Sequence, residues 1–279
     1  PDRHAPAVFQ AQPGTGRALS ITFRGMSISY AVGVPAGAWL GLEYGWRVPV
    51  WVSAAAGFGA LVAATALLPA HMAGLAPGSA GFAGFAAAAR KPLVLRVWLR
   101  TLLYFTAIFS VFSYIGPVLR ALSPMTSAQL TATLAVFGLA GVAGTLIGGW
   151  ANDRFGGVKS MRVQLSVLAI TMALLPLTAG SIPATMATLV VWGMAGFGVM
   201  APQQNRLASA APAQAPLLLS LNASMLYVGA ALGALISGAL LDVSGFARLA
   251  WVGLPFSALA LLTLAFERAP ARVSTSAPA

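Results

Sequence analysis

The chain has 279 residues, 58% of them hydrophobic and only 8% charged, where a soluble domain carries about a quarter charged residues; a molecule whose surface faces mainly water is excluded. The net charge of +11 would ordinarily suggest nucleic acid, but the few basic residues fall in short gaps between apolar runs, a pattern of membrane loops and not of a nucleic-acid face. Cysteine is absent and both histidines, His4 and His71, lie outside the apolar runs, so no disulfide, thiolate or buried histidine site is expected, and no metal or cofactor.

The chain opens on a polar, Pro/Gly-rich stretch without the charged start and short apolar core of a signal peptide. Its beginning at Pro1 gives the expectation that it is cut from something longer. A helix needs about 20 apolar residues to cross a bilayer, and only helices or closed barrels satisfy their own backbone in lipid. The alternation of barrel strands is missing, so the predicted elements are eight helical spans, Leu19–Gly41, Val48–Pro69, Val97–Leu119, Ala128–Trp150, Val163–Gly180, Ala184–Pro202, Leu217–Leu241 and Leu249–Phe266. The one long polar gap, Ala70 to Arg96, reads as a linker. The expected organisation is therefore residues 1–69 as the end of one helical bundle, 70–96 as a cytoplasmic linker, 97–266 as a six-helix bundle, and 267–279 as a disordered cytoplasmic tail.

Cytoplasmic loops collect Lys and Arg. With both termini cytoplasmic, thirteen of the 16 Lys and Arg fall inside and only Arg47, Arg120 and Arg248 outside. Dropping one span would spoil this asymmetry. Trp46, Trp51, Trp150 and Trp251 sit near span ends, where indoles favour the interface. A faint repeat appears on sliding the chain by 200 residues: Ala31, Gly33, Leu40, Gly45 and Trp51 fall on Ala231, Gly233, Leu240, Gly245 and Trp251. The seventh span is the fifth after the linker. If the first span is the fifth of its own half, four spans are expected in front of it.

Four features carry the functional argument. The loop after the fourth span runs from Gly148 through Gly149, Asp153, Arg154, Gly156 and Gly157 to Lys159. It resembles the G-x-L-a-D-r-x-G-r-k loop of the major facilitator superfamily; Gly149, Asp153, Arg154 and Gly156 match in place, Lys159 is one position late, and Gly157 replaces a basic residue. Such a charge cluster can latch one conformation and break in another; the alternative is an exposed turn of little energetic weight. In the first span, Gly33, Pro35, Gly37 and Gly41 make a smooth face with a kink-prone proline. The stretch is similar to the fifth-helix signature of proton-coupled drug and sugar exporters, in the G-V-P-x-G form of the arabinose-efflux-like branch. A packing seam alone is the alternative. In the third span, the run Phe112 to Leu119 resembles the first helix of the second half of those exporters, which implies that Ser113 and Tyr114 line a cavity; packed or lipid-facing aromatics are the alternative. In the seventh span, Asn222, Ser224 and Tyr227 could touch substrate or bridge helices, while Gln203, Gln204 and Asn205 read as the loop after the sixth span.

No ionisable group lies at the centre of a predicted span; Arg24, Arg96 and Arg100 are within reach of an interface by snorkelling. No residue is a good proton carrier on this reading. No nucleotide loop, metal constellation or nucleophile–base pair supports an enzyme. The resemblance implies an all-α membrane protein, comprising the last two helices of the first half and all six of the second half of a major facilitator fold. It implies secondary efflux of a drug or sugar-like small molecule, with the lipid bilayer, that solute and a proton as partners and no nucleic acid; the high Ala content and the excess of Arg over Lys point to a bacterial cell membrane. The 279 residues alone are expected to be inactive. The competing expectation is a complete eight-helix channel or lipid-handling scaffold.

Overall fold

The computed structural model describes residues 32–67, 86–87, 89–211, 214–265 and 267. The expected start of the first span, most of the linker, and residues 268–279 of the expected tail lie outside the described residues. Those that are described form helices: α1 (Val34–Tyr44), α2 (Arg47–Leu67), α3 (Pro92–Phe112), α4 (Ile115–Leu122), α5 (Ser127–Phe155), α6 (Gly157–Leu174), α7 (Ile182–Gly198), α8 (Met200–Ala210), α9 (Ala215–Ala239) and α10 (Leu249–Ala265). Six stretches are long and apolar enough to cross a membrane: α2, α3, α5, α6 with the turn to Thr178, α7 joined to α8, and α9; α10 is shorter but equally apolar. This is an all-helical membrane fold among the described residues.

Local chemistry sets the helix ends. Prolines open α3 and α9, where a missing N–H costs nothing. A reciprocal capping box between Thr126 and Gln129 starts α5. Gly156, at φ 84°, ends α5 and turns the chain directly into α6. The internal repeat has a structural counterpart: Gly45 and Gly245 both leave a helix with positive φ, 86° and 65°, and nearly the same ψ, 158° and 165°. An L side chain is strained there, so glycine at both ends of the 200-residue shift is a conformational requirement. Before α1 the chain makes a π-type turn at 32–33, and Pro35 lies in the first turn of α1. The expected kink is thus a local irregularity at the helix start.

The core belongs to α3–α10. Trp192, Met161, Leu165, Leu168, Met172 and Leu119 are fully buried in it. α3 packs on α9 and α10, α5 on α7, and α6 on both α7 and α10. Small residues set the closest crossings. A Cβ on Gly144 would overlap the Met194 backbone, and one on Gly148 the backbone of Gly198, so α5 and α7 touch main chain to main chain. Gly229 and Gly233 of α9 meet the carbonyls of Leu102 and Thr106 in the same way. α1 lies against α5 and α2, and α2 touches little else.

Candidate functional site

The site lies where α3 begins its middle third, α7 gives way to α8, and α9 and α10 pass close by. Thr101 of α3 is 2% exposed. Its hydroxyl accepts from Gln203 Nε2 at 2.6 Å and stands 2.6 Å from Asn222 Oδ1 and 3.0 Å from the Val97 carbonyl, which share its proton. Gln203 Nε2 also donates to the Val97 carbonyl at 3.3 Å. Tyr104, one turn further along α3, donates its hydroxyl to the Gly196 carbonyl. Together with Phe105, Met200 and Gln204, these groups line a small cleft of about 10 Å³. Uncharged amides and hydroxyls held inside the helical bundle by one another present a neutral, hydrogen-bonding wall.

Directly beside this wall is a buried charge cluster. Arg100 is 0% exposed. Its Nε donates to Thr263 Oγ1 at 2.8 Å, one terminal nitrogen to Gln203 Oε1 at 3.5 Å, and the other to Glu267 Oε1 at 2.5 Å. Arg206 of α8 donates to the second oxygen of the same carboxylate at 2.7 Å. Glu267, just past α10, thus ties α3, α8 and α10 together, and its own N–H bonds the Leu264 carbonyl at 3.2 Å. The remaining described acids, Glu43, Asp153 and Asp242, are exposed.

Two expectations are corrected here. Arg100 does not snorkel: it lies about 12 Å along α3 at 1.5 Å per residue, enclosed by protein and fully bonded. A carboxylate on the chain's last described residue supplies the partner that makes burial tolerable. Likewise Gln203, Gln204 and Asn205 are not a loop. They are helical, within α8, and Gln203 is buried. The span that was expected to stop at Pro202 continues to Ala210 because α8 has a buried side of its own, with Leu207 packed on Val94, Val97 and Leu218.

Of the cavity candidates, Asn222 belongs to the cleft. Ser113 and Tyr114 lie about 18 Å further along, at the break between α3 and α4. Ser113 is exposed. Tyr114 donates to the Ala234 carbonyl at 3.2 Å and so joins the break to α9. Tyr227 is 72% exposed and turned away from the cleft's polar groups. The aromatics of α3 pack on one another, with Tyr104–Phe105 and Phe109–Phe112 ring centres 4.7 and 5.5 Å apart. The expected loop is helical except at Gly156: Gly149, Asp153 and Arg154 lie in the last turns of α5 and Lys159 in the first turn of α6, and Gly149 faces open space. Asp153 is exposed and accepts from Asn152 Nδ2 at 3.0 Å. Arg154 and Lys159 flank the Phe155 ring at 6.0 and 5.4 Å. In α1, Gly33 caps the helix start, a Cβ on Gly37 would meet open space, and one on Gly41 would sit 3.7 Å from Pro49.

Sequence reasoning missed Thr101 and the Arg100–Glu267–Arg206 cluster, and read Gln203 as part of a loop. One signal for the cluster was available: Arg100 lies well inside an apolar run, and an intramembrane arginine calls for a partner.

Comparison with known proteins agrees with this architecture. Residues 8–215 match the family described as the Major Facilitator Superfamily. The chain is 32% identical over 248 residues to the "Inner membrane transport protein YdhP" of Escherichia coli (strain K12), covering 88% of this chain and 62% of that protein. It is 27% identical over 238 residues to the "Uncharacterized MFS-type transporter YbcL" of Bacillus subtilis, covering 85% and 60%. It is 26% identical over 268 residues to a "Probable sugar efflux transporter" of Mannheimia succiniciproducens, covering 92% and 65%. The chain therefore spans about three fifths of the length of these relatives.

Proposed function

This chain belongs to the major facilitator superfamily of multi-pass cell-membrane transporters, and on that premise we propose that it forms most of a secondary exporter that moves a neutral, hydrogen-bonding small molecule by alternating access. The observation that carries the reading is the cleft on α3, α8 and α9. Three helices contribute uncharged polar groups inside the helical bundle, and Thr101, Gln203 and Asn222 are each at most 5% exposed. Polar groups so placed in a membrane bundle face its interior or a solute path. The lining itself carries no charged side chain, which favours a sugar-like or uncharged drug-like solute over an ion.

The remaining assignments follow from the same premise. Residues 1–69 belong to the first half, 70–96 to the linker and 97–266 to the second half, with both termini cytoplasmic by the distribution of Lys and Arg. Gly149, Asp153, Arg154, Gly156 and Lys159 form a conformational latch whose partner lies on the other half, consistent with an exposed Asp153 that makes no ion pair among the described residues. Gly33, Pro35, Gly37 and Gly41 form the seam on which the halves rock, consistent with α1 packing against α5. Ser113, Tyr114 and Tyr227 are further solute contacts reached as the cleft opens. Export is coupled to protons in the intact protein. The 279 residues alone do not transport, because two helices do not wall the cleft opposite α3, α8 and α9.

The test is solute movement in everted vesicles carrying the intact gene product, with a panel of neutral sugars and drugs. A member of the panel should accumulate when a proton gradient is imposed, and Asn222→Ala should raise its KM several-fold at unchanged protein level. Absence of gradient-driven movement across the panel, or transport indifferent to Asn222, overturns the proposal. Transport by the 279-residue chain in proteoliposomes overturns the inactivity statement.

A further inference from the structure

We infer that Asn222 recognises the solute as a hydrogen-bond donor, and that Arg100 fixes it in that role from a distance, through Gln203 and Thr101. The solute this cleft takes therefore brings an acceptor oxygen, as a hydroxyl, ether or carbonyl group. The solute's part rests on the exporter reading, whereas the orientation of Asn222 stands on the hydrogen bonds alone. An amide is ambiguous by itself, because one end donates and the other accepts. Which end meets the cleft is decided by the groups behind it.

The order runs outward from Arg100. A guanidinium only donates, and one terminal nitrogen of Arg100 faces Gln203 Oε1 at 3.5 Å. The Gln203 nitrogen is thereby directed to the other side, where it reaches the Thr101 hydroxyl at 2.6 Å and the Val97 carbonyl at 3.3 Å. That carbonyl has no proton to give, so it demands a nitrogen at this end independently of Arg100. Thr101, accepting from Gln203, has a single proton left, and Asn222 Oδ1 stands 2.6 Å away. The Val97 carbonyl, at 3.0 Å, is the other claimant and already receives Gln203. With its oxygen held by Thr101, Asn222 has only Nδ2 to offer. That nitrogen has no hydrogen-bond partner among the described residues, yet it is not sealed in protein as the unpaired Gln164 Oε1 and Ser237 Oγ are. Asn222 lines the cleft.

The other polar groups of the lining are committed elsewhere or set no polarity. Tyr104 donates to the Gly196 carbonyl, and Thr101 and Gln203 hold each other. Arg100 is enclosed, with its remaining nitrogens on Thr263 and Glu267; it is a positioning residue and does not touch solute. Gln204 makes no hydrogen bond among the described residues. Free to turn, it can donate or accept. Room of about 10 Å³ suits one water-sized group, so Asn222 meets a single oxygen of the solute and not its body. A donor left unpaired beside that space disfavours a solute that lacks the oxygen. An ammonium or other purely donating group is refused for the same reason.

The test uses the intact protein and changes of side-chain chemistry at nearly constant shape. In everted vesicles, methyl α-glucopyranoside is compared with its singly deoxy and singly deoxyfluoro analogues; fluorine accepts in place of the hydroxyl but cannot donate. At one ring position the deoxy analogue should show a KM at least about tenfold higher, the scale of one unpaired buried donor, while the deoxyfluoro analogue stays within about threefold. Gln203→Glu removes no hydrogen bond of Asn222, but its two acceptor oxygens draw the Thr101 proton away from Asn222. It should abolish the difference, as should Thr101→Val and Asn222→Asp, whereas Thr101→Ser keeps it. These changes act at different links, so one that fails to fold leaves the others. A deoxyfluoro analogue as poor as the deoxy one, or a difference that survives Gln203→Glu in monodisperse protein, overturns the inference. Orientation is also read without solute, and that reading decides alone if the glucoside is not moved. With isotope-labelled asparagine, the Asn222 side-chain resonance is identified by its loss in Asn222→Asp. It should shift in Gln203→Glu and Thr101→Val and hold in Thr101→Ser. Such shifts with no solute of the panel moved would sink the exporter reading and keep the oriented donor; transport with a resonance indifferent to Gln203→Glu would do the reverse.

Discussion

α2 and α3 have the same length, 21 residues, and similar mean hydropathy, 1.8 and 1.5, yet no residue of α2 is buried while over half of the α3 window is. Apolar content alone therefore does not decide burial within these 279 residues, where α2 meets chiefly α1. Lipid is as good a solvent for Leu and Val as a protein interior, so burial brings an apolar face little. The two helices differ in their polar residues. In α2, Ser53 and Thr65 bond carbonyls of their own helix and need no neighbour. In α3, Arg100, Thr101, Tyr104 and Ser110 are buried, and the first three reach across to other helices. Small residues complete the difference, since α9 presents Gly229 and Gly233 to the α3 backbone.

This contrast can be broken in graded steps. The largest effect is expected from Glu267→Ala, which strands the buried Arg100 guanidinium and the part-buried one of Arg206; removing one side of a buried ion pair costs about 3–5 kcal/mol, seen as a sharply lowered unfolding midpoint in detergent. Gly148→Val should follow at about 1–3 kcal/mol or more, because the added side chain meets backbone at Gly198 and neither helix can yield locally. Gln203→Leu leaves Thr101 and the Val97 carbonyl short of a donor and should cost about 1–3 kcal/mol. The smallest effect is expected on α2. Phe58→Ala, at a position 68% exposed, should stay within about 0.5 kcal/mol, as surface changes do. An α2 substitution as costly as Gly148→Val would mean that α2 is covered in the intact protein, and the comparison would have to be redrawn.

Much of the helical layout was legible from the sequence. Span length is a local property, and Gly156, the Thr126–Gln129 cap and the prolines at helix starts are punctuation that works without distant partners. The stretch from Gly149 to Lys159, which is the end of α5, the turn at Gly156 and the start of α6, carried the family resemblance for the same reason: its geometry is set within a few residues. The candidate site was legible only at Asn222, an amide in an apolar run that has to be paired. Ser113 and Tyr114 were equally polar in the sequence, but the chain breaks between α3 and α4 there, and the tyrosine bonds α9 instead.

The sequence alone thus determined that this is a multi-spanning helical membrane protein of the major facilitator kind, because hydropathy, glycine turns and a short loop motif act over one or two turns of chain. Tertiary structure decided which polar groups meet. Arg100 and Glu267 are 167 residues apart, and Thr101 and Asn222 are 121 apart. No periodicity or local propensity encodes such pairs. They exist because α3, α8, α9 and α10 converge at one end of the bundle, where a buried charge or amide is stable only beside the partner that the fold delivers.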